Sequence, residues 1–198
     1  MLKKICSNNN WKEVKQSALT TIGKELKKEP TPEWKFKILL AEHSPIRKLR
    51  IAWCWQGIKS WIATHFVRHH VGIEHFIQTQ RSDRTNVNRD KSKQSELVNH
   101  SCDANAQAII NISRKRLCFM AHKETRKVWI DFKKSIKKIE PELYQVMVPE
   151  CIYRGECPEF EPCGFFKKFK EKCKIHGIQY VNIEGRYRYY HSLFFEKE

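Results

Sequence analysis

Residues 65–84 read His65-Phe66-Val67-Arg68-His69-His70-Val71-Gly72-Ile73-Glu74-His75-Phe76-Ile77-Gln78-Thr79-Gln80-Arg81-Ser82-Asp83-Arg84. Four His, three Arg, two Gln and two carboxylates alternate here with apolar residues. A merely solvated face is more often built from Lys and Glu. Arg and His offer planar donors of fixed geometry, which suit a phosphate, a carboxylate or a heteroaromatic ring. The stretch is the candidate ligand site, and its flanks decide which fold presents it. A structural network of satisfied, buried His is the competing account.

Upstream, Leu49, Ile51, Trp53 and Trp55 alternate with Arg50, Ala52, Cys54 and Gln56, the pattern of a strand with one apolar face. Gly57 breaks it. Ile58, Trp61, Ile62 and Phe66 then fall at helical spacing, so a helix over 58–68 carries His65, Arg68 and His69 near its C-terminal end. That end favours cations, which accounts for one Arg but not for the cluster. Phe76–Gln80 reads as extended. Residues 82–101 are polar and aperiodic and predict a long loop, with Arg84 and Arg89 as phosphate contacts should it close on a ligand.

Further out, Trp11, Val14, Ala18, Ile22 and Leu26 predict an amphipathic helix over 11–28, stopped by Pro30 and Pro32. A short helix over 33–42 follows. Asp103 reads as the N-cap of a helix running to about Met120. A second helix covers 124–138, and Pro141 opens a short one through Val146.

The 198 residues fit one domain with a small appendage. Six Trp, eleven Phe and six Tyr argue against disorder. No apolar run reaches the ~18 residues of a membrane span, and the first ten residues lack an apolar signal core, so a cytoplasmic protein is expected. A formal charge of +16 attracts polyanions, either nucleic acid or a nucleotide. Much of the Lys, in 12–28 and 133–138, also reads as the solvated face of helices.

Eight Cys without a secretion signal imply reduced thiols. Cys151-x5-Cys157-x5-Cys163 is followed by Cys173 and His176. Thiolates bind zinc tetrahedrally, so Cys151, Cys157, Cys163 and Cys173 form a candidate zinc site, with His176, Cys102 and His100 as alternative fourth ligands. An iron–sulfur cluster and unligated thiols are the other readings. Pro149 divides a main domain, 1–149, from a Cys-rich appendage, 150–198. Ile178–Ile183 and Arg186–Phe195 read as strands joined by Glu184-Gly185, a β-hairpin. Its Arg186-Tyr-Arg-Tyr-Tyr-His face would stack on nucleic acid or serve as a charged edge.

Glu42-His43-Ser44-Pro45, the aromatic strand, the helix ending Phe66-Val67-Arg68-His69-His70, and Thr79-Gln80-Arg81 together resemble the flavin-dependent thymidylate synthases. The family signature is Arg-His-Arg, seven residues, then Ser, one residue and Arg-Tyr. The downstream Asn111-Ile-Ser-Arg114 and Val128–Lys133 resemble its later segments. The match covers roughly 38–84 and 105–150. It implies an α+β fold, an antiparallel or mixed sheet packed with long helices, here followed by the Cys-rich segment and hairpin.

Residue by residue, the resemblance implies that Arg68 and His69 contact the flavin, with His70 in place of the last signature Arg. Allowing one inserted residue, Thr79 falls on the family Ser. Arg81 falls on the next Arg, which binds the uridylate. Thr79 and Arg81 are therefore the candidate catalytic pair. His65, Gln80, Arg81 and Arg84 are candidate substrate contacts, and Arg114 is a further flavin contact. Ser82 stands where the family has Tyr, and Lys133 where it has an Arg. The resemblance implies FAD, NADPH and methylenetetrahydrofolate, a dUMP-like substrate, methyl transfer and a homotetramer. Divergent forms of this kind suggest a phage origin. A catalytically silent relative that binds nucleic acid or a partner, or an enzyme modifying another uracil, are the alternatives.

Overall fold

The computed structural model describes residues 1–85 and 88–195; positions 86 and 87 of the predicted 82–101 loop lie outside them. The tryptophan-rich run forms strand β2 (Arg50–Lys59), as its alternation requires. It continues past Gly57, which takes φ +66 where the pairing register shifts between Trp55 and Ile58. Strand β1 (Leu2–Ser7) pairs on one side of β2 and β4 (Leu97–Asn105) on the other. Strand β3 (Ile73–Ile77) closes the far edge, giving an all-antiparallel sheet of order β1-β2-β4-β3.

Helices α1 (Trp11–Thr20) and α2 (Pro32–Leu40) precede β2, and α3 (Ser60–Val67) links β2 to β3. After β4 come α4 (Ala106–Arg116), α5 (Lys123–Ile139), α6 (Pro141–Val146), α7 (Glu150–Arg154), α8 (Phe165–Ile175) and α9 (Ile183–Phe194). The stripe Trp129, Phe132 and Ile136 of α5 is buried. It meets the apolar face of β2, with Trp53 and Phe132 ring centres 4.6 Å apart. Trp55 stacks on Phe66 of α3 at 4.7 Å. This aromatic layer fixes α3 over the sheet and so sets where Arg68 and His69 emerge. Among the described residues, no helix is long and apolar enough to cross a membrane.

Other elements besides β2 differ from the sequence reading. Strand β1 was not expected; its burial is irregular and its pairing with β2 shifts register between Leu2 and Lys4, so it carries no clean period. Helix α1 stops at Thr20 instead of running to 28, and Gly23 turns the chain with φ +67. The predicted loop contains a short 3-10 turn, Arg89–Lys91, and then β4. Its buried positions are Val98, His100, Cys102 and Ala104, so a real two-residue period was hidden by polar groups on the inner face. The helix cap is accordingly Asn105, not Asp103: the Asn105 side chain accepts from the Ala108 N–H at 2.9 Å.

The predicted C-terminal hairpin is helix α9. Asn182 caps it by accepting from the Gly185 N–H, so Glu184-Gly185 opens a helix instead of a turn. Tyr187, Tyr189, Tyr190 and His191 are buried, as is Arg186, whose guanidinium donates to the carbonyls of Ile152, Tyr153, Tyr180 and Val181. These groups are therefore not a surface ribbon for nucleic acid. The segment packs into the same core as the rest of the chain. Lys133 of α5, fully buried, donates to the Met147 carbonyl at 2.7 Å. It lies 4.0 Å from the ring centre of Phe195 and 4.9 Å from those of Tyr144 and Tyr190. Lys133, which stands where the family has an Arg, is thus closed off by the C-terminal segment.

Candidate functional site

Helix α3 ends at Val67, and Arg68 and His69 follow directly. The turn back into β3 depends on Gly72, at φ +75. A Cβ there would lie 2.5 Å from Asn105 Nδ2, the side chain that caps α4. The Gly72 carbonyl also accepts from the Asn105 N–H at 2.9 Å. Only glycine combines the left-handed backbone with this approach, so turn 68–72 is tied to the start of α4.

Arg68 and His70 are exposed, with the His70 Nδ1 3.2 Å from the Arg68 carbonyl. His69 is half-buried and oriented. Arg116 donates through Nε to His69 Nε2 at 3.0 Å and through Nη2 to the His65 carbonyl. His69 Nε2 is thus the acceptor, which puts the ring proton of the neutral imidazole on Nδ1. Burial, with the Arg116 guanidinium beside it, pushes His69 down to about 4. His65 Nδ1 lies 2.8 Å from the buried Thr125 hydroxyl, and burial lowers this imidazole as well. Both rings are therefore neutral at pH 7, and the positive charge of the strip comes from Arg68 and Arg116. Val71 and Phe76, 74% and 64% exposed, give it apolar neighbours.

The second half of the expected strip lies beyond β3. Thr79 accepts from the Arg81 N–H at 3.2 Å, and Gln80 donates to Glu96 at 3.1 Å. Arg81 forms a two-pronged pair with Asp83, at 2.9 and 2.6 Å. Arg84 is exposed in the following turn. Thus 65–70 form one connected group and 79–84 another, the latter with its central guanidinium already on a carboxylate. Arg114 is in neither. It pairs with Glu42, with only 12% of its side chain exposed, and stacks 3.5 Å over the Tyr153 ring. Arg116 is the residue the sequence reading missed. It lies two positions on, about 200° around the helix, so only one of the two can face α3.

The cysteines are split. Burial raises Cys151 to about 12, with the Cys118, Cys157 and Cys163 thiols acting on it in that order. Cys173 is buried elsewhere, beside Arg186. Cys118, just past α4, acts on Cys151 with Cys157 and Cys163, and Cys173 does not; among the described residues no three of these thiols bring their sulfurs within ligand distance of one another. A different set converges on the sheet: His75, His100 and Cys102 bring their ligand atoms within 4.8 Å of one another.

No protein-family model matches the sequence. No curated protein matches it either. Solved structures do match. The flavin-dependent thymidylate synthase ThyX of Helicobacter pylori, complexed with FAD and dUMP, aligns with TM-score 0.59 over 75% of this chain and 98% of its own, at 12% identity. A second structure of that protein with FAD and dUMP gives 0.61 over 74% and 99%, also at 12% identity. The UMP/dUMP methylase PolB of Streptomyces cacaoi, bound with 5-Br dUMP, gives 0.55 over 73% and 92%, again at 12%. The α+β architecture expected from residues 38–84 and 105–150 is the one observed, and the chain has the fold of the flavin-dependent thymidylate synthases.

Proposed function

We propose that this chain binds a flavin and a uridylate and methylates the pyrimidine, as a divergent enzyme of the flavin-dependent thymidylate synthase type. The observation that carries the reading is the Arg68–His69 pair, presented at the end of α3 in that fold, with Arg116 fixing the imidazole. The group fits a flavin in kind. Arg68 and His70 are exposed donors for a phosphate or ring edge, and Val71 and Phe76 are exposed apolar surface beside them. Bound FAD, once reduced, would supply a hydride. The chain's own part is to hold and orient the partners.

Thr79, Gln80 and Arg84 are the proposed nucleotide contacts, with His65 behind the strip. Arg81 would have to exchange Asp83 for a phosphate. Folate as carbon donor, NADPH as reductant and a tetramer that completes the site belong to the same proposal. The pairing of Arg81 with Asp83 and of Arg114 with Glu42 leaves them less free for uridylate and flavin, which favours a second reading, a repurposed member, with the net charge of +16 as its attraction for nucleic acid.

Absorbance of the purified protein, followed by FAD titration with and without dUMP, tests the first reading. Saturable FAD binding that dUMP perturbs is expected. Protein that stays colourless after FAD addition would overturn it, and oligonucleotide binding with a steep salt dependence would favour the second.

A further inference from the structure

We infer that His75, His100 and Cys102 form a transition-metal site of the zinc class, spanning strands β3 and β4 beneath the turn that carries Arg68 and His69. The inference is independent of the flavin reading. His75 and Cys102 are register partners across the two strands, and His100 lies two residues before Cys102 on the same buried face. Their ligand atoms form a small triangle. His75 Nδ1 is 3.0 Å from His100 Nε2, Cys102 Sγ is 3.2 Å from His100 Nε2, and Cys102 Sγ is 3.5 Å from His75 Nδ1.

Those lengths approach the edges of a coordination tetrahedron, the two to His100 falling short by about 0.3–0.4 Å and the third by about 0.1 Å. With zinc–nitrogen bonds of about 2.0–2.1 Å and a zinc–sulfur bond of about 2.3 Å, tetrahedral angles separate two nitrogens by about 3.3 Å and nitrogen from sulfur by about 3.6 Å. The orientation also fits. His75 Nε2 lies 2.7 Å from the His69 carbonyl, so it carries the proton and leaves a lone pair on Nδ1, facing the other two ligand atoms. A ligating His held by its other ring nitrogen on a backbone carbonyl is the usual outer-shell arrangement.

Hydrogen bonding alone matches the trio less well. If His100 carries its proton on Nε2, that proton and the Cys102 S–H compete for the single lone pair of His75. If it carries the proton on Nδ1, two bare lone pairs face each other across 3.0 Å with one thiol proton between them. His100 Nδ1 has no protein partner among the described residues in any of these states, including the metal-bound one, in which it carries the ring proton. A cation takes up all three electron pairs at once, with loss of the thiol proton on binding. Two imidazole nitrogens and one thiolate make a soft donor set, which favours zinc, cobalt or copper over magnesium or calcium. Three protein ligands leave a fourth position for a water or small donor. Through the His75–His69 contact, the ion would also pin the edge strand and the Arg68 turn to β4.

The test uses the full chain, stripped with a chelator and titrated with Co2+ alone, then with Zn2+ as competitor. One equivalent of Co2+ should give tetrahedral d–d bands and a sulfur-to-cobalt charge-transfer band, both removed by Zn2+. Cys102→Ser should abolish the charge-transfer band and weaken binding at least tenfold. His75→Ala, on the half-buried edge strand, should also weaken it and decides the matter if Cys102→Ser does not fold. A Cys157→Ser/Cys163→Ser variant separates the C-terminal thiols and should leave the signal intact. No Co2+ uptake by folded protein, or a spectrum unchanged in Cys102→Ser and His75→Ala but lost in the C-terminal variant, would overturn the site.

Discussion

The Arg116 Nε stands 3.0 Å from His69 Nε2, and its Nη2 reaches the His65 carbonyl, so one half-buried guanidinium joins α4 to both ends of the last turn of α3. Arg116→Met removes both donations and leaves the apolar stem. Hydrogen bonds from a charged donor are worth roughly 1.5–3 kcal/mol each, and one of these acceptors is half-buried. A stability loss of about 3 kcal/mol, the low end for two such bonds because both are only part-buried, is expected in urea unfolding. If the flavin reading holds, FAD affinity falls as well, because His69 loses its fixed tautomer. A variant as stable as the parent would show that α4 does not brace the strip.

Gly72→Ala should cost more than an ordinary turn substitution. The left-handed backbone costs roughly 1–2 kcal/mol for a residue with a Cβ. The new carbon also collides with Asn105, whose cap on α4 is worth about 1 kcal/mol. A loss of about 2–3 kcal/mol is predicted from chemical denaturation. Asn105→Ala measures the cap alone. Because Gly72 acts partly through Asn105, the double variant should lose less than the sum of the two.

What the sequence made legible follows from where physical signals are strong. Strand β2 and helix α5 announced themselves because tryptophans and isoleucines kept one period without interruption, and with the Arg68–His69 motif they were enough to point to the fold. Strand β4 stayed hidden because His100 and Cys102 occupy its buried face, where a reader looks for Val or Ile. Helix α9 reads as strands because Tyr187, Tyr189 and Tyr190 favour extended backbone intrinsically, while the buried positions 186, 187, 190 and 191 fall at helical spacing, with Tyr189 buried beside them. Arg114 and Arg116 could not be ranked without the helix phase. Contacts between residues distant in sequence, such as Arg114 with Glu42, left no local trace.

The Glu42–Arg114 pair separates two roles for that arginine. Glu42 sits at φ +52 and also accepts from Gln107, while Arg114 stacks on Tyr153 of α7. The partly buried pair ties α4 to the turn after α2, while the stack on Tyr153 ties it to α7, and removing one partner of the pair strands the other charge. Glu42→Ala is therefore expected to destabilise the chain by about 3 kcal/mol, and Arg114→Lys by less. If Arg114 instead served the flavin, Arg114→Lys would weaken FAD binding with the urea midpoint unchanged.

The packing of Cys151, Ile152, Tyr187, Tyr190 and Phe195 into the common core makes a prediction about cooperativity. Tryptophan fluorescence reports residues 1–149, which hold all six tryptophans, whereas a probe on Cys163 reports the C-terminal segment. Both should give the same urea midpoint. A chain cut after Pro149 would expose the aromatic wall around Lys133 and is expected to aggregate. Two separated transitions, or a soluble and cooperative 1–149 fragment, would instead establish an appendage that folds on its own.

The last prediction concerns pH. His191 is buried against α6, its Nε2 donating to the Gln145 carbonyl at 2.8 Å. Burial first, and then the Lys133 and Lys137 amines, hold it well below the ordinary imidazole value. Lys133 itself is held well below the ordinary amine value by burial. Both shifts have the same sign. Below about pH 6.5 the unfolded chain takes up a proton on His191 that the folded chain refuses, so stability present above that pH is lost as pH falls. The limit is about 1.4 kcal/mol per pH unit for one group. For Lys133 the corresponding window opens below about pH 10.5 and extends down to its depressed value. His191→Gln should therefore flatten the urea-midpoint profile between about pH 7.5 and 5.5, and Lys133→Met should flatten it between about pH 10 and 8. Lys133→Met will also leave the Met147 carbonyl without its donor, lowering the whole curve by about 1–3 kcal/mol. A wild-type profile that rises as pH falls through the His191 window would mean that His191 of α9 is not buried against α6 as described.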